Sequence, residues 1–326
     1  MSEKEVKIGN VRDNISPSAR KRRDFLDVFF RNLFLIAGIV AAIMIVVIFV
    51  FVGGKGIAPF LPGYEFGETG RQSLLSFLTG MTWRPDQNPP TYGVLFIVIN
   101  TLITAFLAAI LSFPISVLSA LFIVKVSPKK LRPVFTTIVE LLAAIPSVVY
   151  GVFAAANITK LSNDLAGLFG QTTHGGLSTL SVSLLLAIMI YPTITSISIN
   201  AIAAVDKNLE LGSLALGASR TQTNFKVVLS AAKSGIFAGL ILGLGRAFGE
   251  ATAVSMVAGN AMTGPSWNLF STTRTLTSTM LSGLHETTGL DYDIRFSVGI
   301  VLMIIVLLTN LAIQLVKKNI GGVGRE

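Results

Sequence analysis

Long runs of apolar residues alternate with shorter polar stretches along most of the chain. A helix needs about 20 predominantly apolar residues to cross ~30 Å of hydrocarbon. Six segments meet this requirement: 32–54, 93–124, 134–157, 177–200, 235–258 and 296–316. The pattern therefore predicts an all-α polytopic membrane protein with six transmembrane helices.

The second segment, 93–124, is long enough for either one helix kinked at Pro114 or a tight hairpin of two short helices. The distribution of basic residues decides between the two. With a single helix, most Lys and Arg residues fall on the same side of the membrane, whereas a hairpin scatters them to both sides. Because cytoplasmic loops carry the excess of basic residues, we predict one helix, six spans and both termini in the cytoplasm.

This topology divides the chain into five parts. They are a basic cytoplasmic tail (1–31), the first transmembrane helix (32–54), an external loop (55–92), a core of five further helices (93–316) and a cytoplasmic tail (317–326). The core includes a cytoplasmic loop at 204–234. The basic tail is predicted to be a disordered anchor that contacts anionic lipid.

Composition agrees with a membrane protein, since 52% of the residues are hydrophobic, 13% are charged and the mean hydropathy is +0.70. The net charge of +9 comes from residues at the ends of the apolar runs, which indicates topology and not a nucleic-acid surface. The chain has no cysteine, and its two histidines lie in separate polar segments. We therefore expect no bound metal or cofactor.

Two opposite charges interrupt the fifth apolar segment, in the stretch "GLGRAFGEATAV". A charge near the bilayer centre costs roughly 2.5–3.5 kcal/mol on insertion scales. Arg246 and Glu250 are four residues apart, which puts them on one face of a helix and allows them to pair. Gly239 and Gly243, and likewise Gly245 and Gly249, have the spacing that lets helices approach closely.

Two interpretations of these charges remain open. In the first, they form a buried ion pair that fixes helix register, with Glu140 or a residue of a partner subunit taking part. In the second, Arg246 lies in a translocation pathway and offsets the charge of an anion, since a guanidinium can bind an oxyanion through two parallel hydrogen bonds. Glu250 then holds Arg246 in place or prevents the anion from being trapped.

The loop between the fourth and fifth segments is too polar to span the membrane, yet it is patterned like a helix. Asp206 can cap a helix start, and Gly217 can end that helix in a left-handed turn. A second short amphipathic helix is predicted to follow, with an apolar side formed by Phe225, Val228 and Leu229. Such a helix pair can insert into a groove of a partner or rest on the lipid surface.

The loop sequence "LELGSLALGASRTQTNFKVVLSAAKSGI" resembles the cytoplasmic EAA loop of ABC importer permeases, in which a coupling helix fits a cleft on the ATPase. Gly217 matches the fixed glycine of that loop. The Glu-Ala-Ala triplet falls on Leu211, Gly212 and Ser213, and the nearest glutamate is Glu210. The resemblance implies a coupling role for the following residues: Asp206, Glu210, Leu211, Gly212, Ser213, Leu214, Ala215, Leu216, Gly217 and Ala218.

The segments "VELLAAIPSVVYGVF" and "GLILGLGRAFGEATAVSMVAGN" resemble the PstC family of phosphate importer permeases. The resemblance implies the type I ABC importer permease fold and a subunit that forms half of a phosphate pathway. It implies as partners a PstA-like permease, a PstB-like ATPase dimer that binds ATP and Mg, and an external PstS-like phosphate-binding protein. The chain itself has no G-x-x-x-x-G-K-[ST] loop, so we expect no ATP hydrolysis by it.

Glu140 and Pro146, in the third segment, are candidates for a gating or structural role. Proline is common in membrane helices, where it bends them. Three alternative functions remain open: a permease for sulfate, molybdate or tungstate, a stand-alone secondary transporter with an Arg246–Glu250 relay, and a membrane scaffold without transport.

Overall fold

A computed structural model describes residues 17–64 and 72–321 of the protein. The chain divides into two compact units, residues 1–52 and 53–326. The described part of the first unit belongs to a single helix, α1 (Pro17–Ile57), whose last turn lies in the second unit. The predicted span 32–54 lies entirely within α1.

The prediction of a disordered tail over 1–31 is wrong from Pro17 onward, where the backbone is helical. Proline suits the first position of a helix because its missing N–H would be unpaired there. The Ala, Arg and Lys residues that follow all favour helix. The rest of that tail, residues 1–16, lies outside the described residues, as do residues 322–326 of the predicted C-terminal tail.

The second unit is helical, with one short hairpin. A 3-10 turn (Ala58–Phe60) and α2 (Leu74–Thr79) precede the strands β1 (Trp83–Arg84) and β2 (Thr91–Tyr92), which pair antiparallel with Trp83 opposite Tyr92. The remaining helices are α3 (Leu95–Leu121), α4 (Arg132–Ala144), α5 (Ser147–Phe153), α6 (Thr159–Leu168), α7 (Thr179–Ala203), α8 (Lys207–Ala215), α9 (Arg220–Gln222), α10 (Leu229–Gly249), α11 (Thr252–Val257), α12 (Leu276–Leu281) and α13 (Gly289–Gly321). Three π-helical segments, Phe122–Val126, Ala154–Ile158 and Thr223–Val228, continue α3, join α5 to α6 and join α9 to α10.

Within the described residues, five helical stretches are long and apolar enough to cross a membrane, and a bent helix pair makes a sixth. The six-span prediction is therefore confirmed. The second span is a single helical stretch, Leu95–Val126, that contains Pro114. The hairpin alternative for this segment is excluded.

The third span is not the continuous helix that the sequence predicted over 134–157. Helix α4 ends at Ala144, and the chain turns by 88° before the helical stretch Ser147–Leu168. Pro146 causes the break, because proline disfavours the helical conformation of the residue before it, and Ile145 is extended (ψ 128°). Tyr150 steadies the bend by donating a hydrogen bond from its hydroxyl to the carbonyl of Leu142 at 2.8 Å.

Helices α3, α7 and α10 form the centre of the second unit. Their facing side chains are small or branched, and many are fully buried, among them Ala105, Ala108, Ile190 and Leu244. Gly243 approaches α7 closely, since a Cβ added there would lie 2.7 Å from Cγ1 of Ile194. Gly239 and Gly243, for which a packing role was predicted, both face α7.

The same role predicted for Gly245 and Gly249 is not found within residues 17–64 and 72–321. A Cβ at either glycine meets no atom within 4 Å, and the side chain of Leu242 near them is also exposed. Gly245 is two residues after Gly243, which corresponds to a rotation of about 200° around the helix. Gly245 and Gly249 therefore lie on the side of α10 that faces away from α7.

These two glycine positions provide a matched test of the packing. Gly243→Val is expected to lower the free energy of unfolding by about 1–2 kcal/mol, because the added atoms force Ile194 and α7 apart. Gly245→Val in the same helix is expected to leave stability almost unchanged. Thermal unfolding of both purified variants in detergent measures the difference, and equal melting temperatures would contradict the packing described here.

Candidate functional site

Arg246 lies in the last turn of α10, where its side chain is half-buried beside α7. Its Nη1 donates a hydrogen bond to Oγ1 of Thr193 at 3.2 Å. Thr193 follows Pro192, which lies inside α7. The contact fixes the guanidinium against the neighbouring helix at the centre of the unit.

Glu250 lies outside the helix that carries Arg246. Helix α10 ends at Gly249, and Glu250 has an extended backbone (φ −78°, ψ 113°). Its Oε1 accepts a hydrogen bond from the amide of Ala253 at 2.9 Å, and its carbonyl accepts one from Oγ1 of Thr277 at 2.8 Å. Glu250 thus precedes α11 and binds one of its first amides, which lack intrahelical partners and favour a carboxylate.

The pairing of Arg246 with Glu250 on one helix face, which the sequence allowed, is therefore not found. The predicted span 235–258 is replaced by a continuous helical stretch, Arg220–Gly249, followed by the separate α11. Ion pairs are formed by Lys55 with Asp293, Lys125 with Glu210 and Arg295 with Asp291, and Arg246 has no carboxylate partner among the described residues. Glu140, the other proposed partner, has an exposed side chain on α4.

The result is a single guanidinium in an apolar region, held by one neutral hydroxyl. The cost of placing a charge in such a region falls when an opposite charge approaches it. The geometry agrees with the pathway interpretation of Arg246 better than with the ion-pair interpretation. The role assigned to Glu250 becomes that of a helix cap.

The polar loop after α7 folds as predicted in its first half. Asp206 accepts a hydrogen bond from the amide of Asn208 at 2.9 Å and begins α8. The helix ends at Gly217, whose φ of +84° is left-handed. The amide of Ala218 then donates to the carbonyl of Ser213 at 3.2 Å, which closes the last turn.

The second half of that loop differs from the prediction. The run from Arg220 is not a separate short helix but the beginning of the 30-residue helical stretch that ends at Gly249. Val228 is buried and Leu229 packs beside it, while Phe225 is 50% exposed. The break at Gly217 therefore separates α8 alone from the spans.

Helix α8 carries an apolar surface that none of the described residues of the second unit covers. It contains no buried residue. Four leucines on or next to it are exposed by 38–91%: Leu209, Leu211, Leu214 and Leu216. Within residues 53–64 and 72–321 this surface is open to a partner.

A polar cluster that was not predicted from the sequence lies at the ends of α3 and α7 that are farther from α8. Arg274 is 4% exposed and donates hydrogen bonds to the carbonyls of Ala261 and Asn260 at 2.8 and 2.7 Å. Burial, and then repulsion from Arg295, lowers the pKa of Arg274 to about 10. Arg274 stands in the polar stretch "STTRTLTST", and that run of hydroxyls around one arginine was the only signal for it.

A second part of that cluster connects the end of α1 to α13. Asp293 forms an ion pair with Lys55 at 3.3 Å and accepts a hydrogen bond from Tyr64 at 3.0 Å. Burial, and then this hydrogen bond, raises the pKa of Tyr64 to about 12. Together with Arg274, these contacts brace the loops at this end of the unit.

Comparison with known proteins identifies the kind of molecule. Residues 112–321 match the family described as "Binding-protein-dependent transport system inner membrane component". The chain is 35% identical over 312 residues to the probable ABC transporter permease protein YqgH of Bacillus subtilis, covering 94% of this chain and 97% of that protein. It is 32% identical over 265 residues to the phosphate transport system permease protein PstC of Pasteurella multocida, covering 76% and 82%.

Solved structures show the same fold at low sequence identity. A chain of a bacterial alginate ABC transporter, in complex with alginate pentasaccharide-bound periplasmic protein, superposes with a TM-score of 0.57 at 16% identity, covering 90% of this chain and 97% of that one. A chain of the inward-facing MetNI methionine ABC transporter gives a TM-score of 0.51 at 19% identity, covering 69% and 94%. The fold is that of type I ABC importer permeases, which work with a separate ATPase and an external binding protein.

Because the family match extends over residues 112–321 and the relatives align over most of the chain, the protein belongs to the binding-protein-dependent transport system inner membrane components and is a multi-pass permease subunit of an ABC importer, not an enzyme.

Proposed function

We propose that this permease imports inorganic phosphate. The support for the substrate comes from relatives such as the PstC proteins of Pasteurella multocida and Mycobacterium tuberculosis, which are 32% and 33% identical and named for phosphate transport. The observation that carries the proposal in this chain is the Arg246 side chain, a cation without a carboxylate partner among the described residues. A guanidinium binds tetrahedral oxyanions through paired hydrogen bonds.

In this proposal Arg246 lines the pathway and lowers the electrostatic barrier for the anion. Thr193 keeps the guanidinium against α7, so that it does not swing into the pathway and block it. One neutral hydroxyl is a weak partner, since a typical net hydrogen bond contributes only about 0.5–1.5 kcal/mol. An arriving anion therefore competes easily for Arg246.

The exposed surfaces of the chain indicate where the other subunits of the transporter bind. The leucines of α8 fit a cleft on a PstB-like ATPase dimer, which binds ATP and Mg, whereas this chain binds no cofactor. The Gly245–Gly249 side of α10 has room for close approach by a PstA-like permease. A PstS-like phosphate-binding protein docks at the other end of the bundle, with α8 and both termini on the cytoplasmic side.

Reconstitution in liposomes tests the function. The chain, its permease partner and its ATPase are combined with binding proteins loaded with phosphate, sulfate or molybdate, and ATP hydrolysis and anion uptake are recorded. We expect stimulation with phosphate and background rates with the other two anions.

Other outcomes overturn the proposal in distinguishable ways. Stimulation by sulfate or molybdate alone would leave the importer intact but assign it another oxyanion. Uptake by the chain without any ATPase would make it a secondary transporter. An assembly without uptake of any anion would favour a scaffold.

A further inference from the structure

In the described part of the chain, two side-chain contacts hold α8 to the membrane helices, and each contact leads to a different span. Glu210, in the first turn of α8, forms an ion pair with Lys125 at the end of the second span. The two side chains are 22% and 15% exposed, so the contact is largely shielded from water. An ion pair in this setting is less screened by salt than one on an open surface.

The second contact joins α8 to the fifth span. Oγ of Ser213 and Oγ1 of Thr223 lie 3.0 Å apart, and Thr223 is only 2% exposed. Thr223 belongs to the stretch Arg220–Gly249, which leads directly to Arg246. Movement of α8 is therefore connected to the helix that carries the pathway arginine.

The two span residues that contact α8 both lie in π-helical segments. Lys125 is in Phe122–Val126 and Thr223 is the first residue of Thr223–Val228. A π-helical turn contains more residues than an α-helical one, so it rotates the side chains that follow relative to a regular helix. Such turns are frequent at functional sites, and here both positions point toward α8.

The two contacts matter because α8 has little else to hold it. It contains no buried residue, and its leucines are exposed. A segment with few buried apolar contacts opens locally at low free-energy cost. The ion pair and the hydroxyl contact therefore determine the orientation of α8.

We infer that Lys125 and Glu210 are positioning residues for coupling, which fix α8 to the second span so that a displacement of α8 moves the second and fifth spans together. The inference rests on the proposed function, because it takes α8 to be the helix that docks on the ATPase. Without the ion pair, no side-chain contact joins α8 to the second span, and its motion reaches that span only indirectly, through the fourth and fifth spans that flank α8 in the chain.

Neutralising variants test the inference in the reconstituted transporter. Lys125→Met and Glu210→Gln are each expected to lower anion uptake per ATP hydrolysed by about five-fold, the upper range for a single partly exposed ion pair. Lys129→Met is the matched control, since Lys129 is exposed four residues away and lies outside the contact. It is expected to transport like the wild type.

The charge swap Lys125→Glu with Glu210→Lys distinguishes an effect of the ion pair from an effect of a direct contact between either side chain and the ATPase. We expect the swap to recover at least half of the wild-type ratio of uptake to hydrolysis, because the attraction is restored in reverse. A swap no better than the single variants, or single variants equal to the wild type, would overturn the inference.

Hydrogen exchange provides a readout that does not depend on transport. Amides 207–217 are expected to exchange about five-fold faster in Glu210→Gln and in Lys125→Met than in the wild type or Lys129→Met. If wild-type vesicles import no anion but these amides exchange faster in the two variants, the proposed function is wrong and the role of the ion pair in holding α8 is supported. If transport is normal and the amides are unchanged in both variants, the inference fails alone.

Discussion

Replacement of Arg246 by glutamine is expected to reduce anion uptake about 100-fold, equivalent to ~2.7 kcal/mol and within the range for hydrogen bonds to charged groups. Glutamine keeps a hydrogen-bonding side chain but removes the positive charge. The anion then crosses an apolar region without an opposite charge nearby, where electrostatic interactions are much stronger than in water. Uptake of radiolabelled phosphate into vesicles that contain the complete transporter measures the loss.

Two further variants separate charge from geometry. Arg246→Lys keeps the charge but loses the planar pair of donors, and is expected to transport about ten-fold more slowly than the wild type. Thr193→Val removes the hydroxyl that holds the guanidinium at 3.2 Å, and is expected to cost less than three-fold, roughly one neutral hydrogen bond. Normal uptake by Arg246→Gln would mean that this arginine serves only the fold.

The features that could be predicted from the sequence are those set by local chemistry. Span lengths follow from bilayer thickness, and six were found. The Asp206 cap and the left-handed Gly217 depend on a few neighbouring residues, and both are present. The coupling role of Asp206 and Gly217 and the pathway role of Arg246 stay predictions until transport is measured.

The errors came from choices that distant residues decide. A proline inside a span can kink or break it, and here Pro146 gives an 88° turn that Tyr150 stabilises through Leu142. A glutamate four residues after an arginine can share its helix face, but Glu250 instead binds the amide of Ala253 and the side chain of Thr277. Likewise, the sequence contains two glycine pairs with the same spacing, and the position of Ile194 on α7 determines that Gly239 and Gly243 form the contact.

Substitution of Gly217 by valine is expected to uncouple ATP hydrolysis from transport. Its φ of +84° is a conformation that a β-branched residue rarely adopts. Backbone strain of this kind costs of order 1–3 kcal/mol, and the strained turn relaxes by reorienting α8. We expect uptake per ATP to fall about 30-fold, which corresponds to ~2 kcal/mol of strain.

The space around Gly217 identifies the cause of this effect as the backbone and not a clash. A Cβ at Gly217 meets no atom within 4 Å, and the same is true at Gly212 in the middle of α8. Gly212 has no positive φ, so Gly212→Ala is expected to leave coupling intact and to stabilise the helix slightly. Gly217→Asn, which tolerates the left-handed region, is expected to retain most of the transport. If Gly217→Val took up as much anion per ATP hydrolysed as the wild type, the turn would not determine how α8 meets the ATPase.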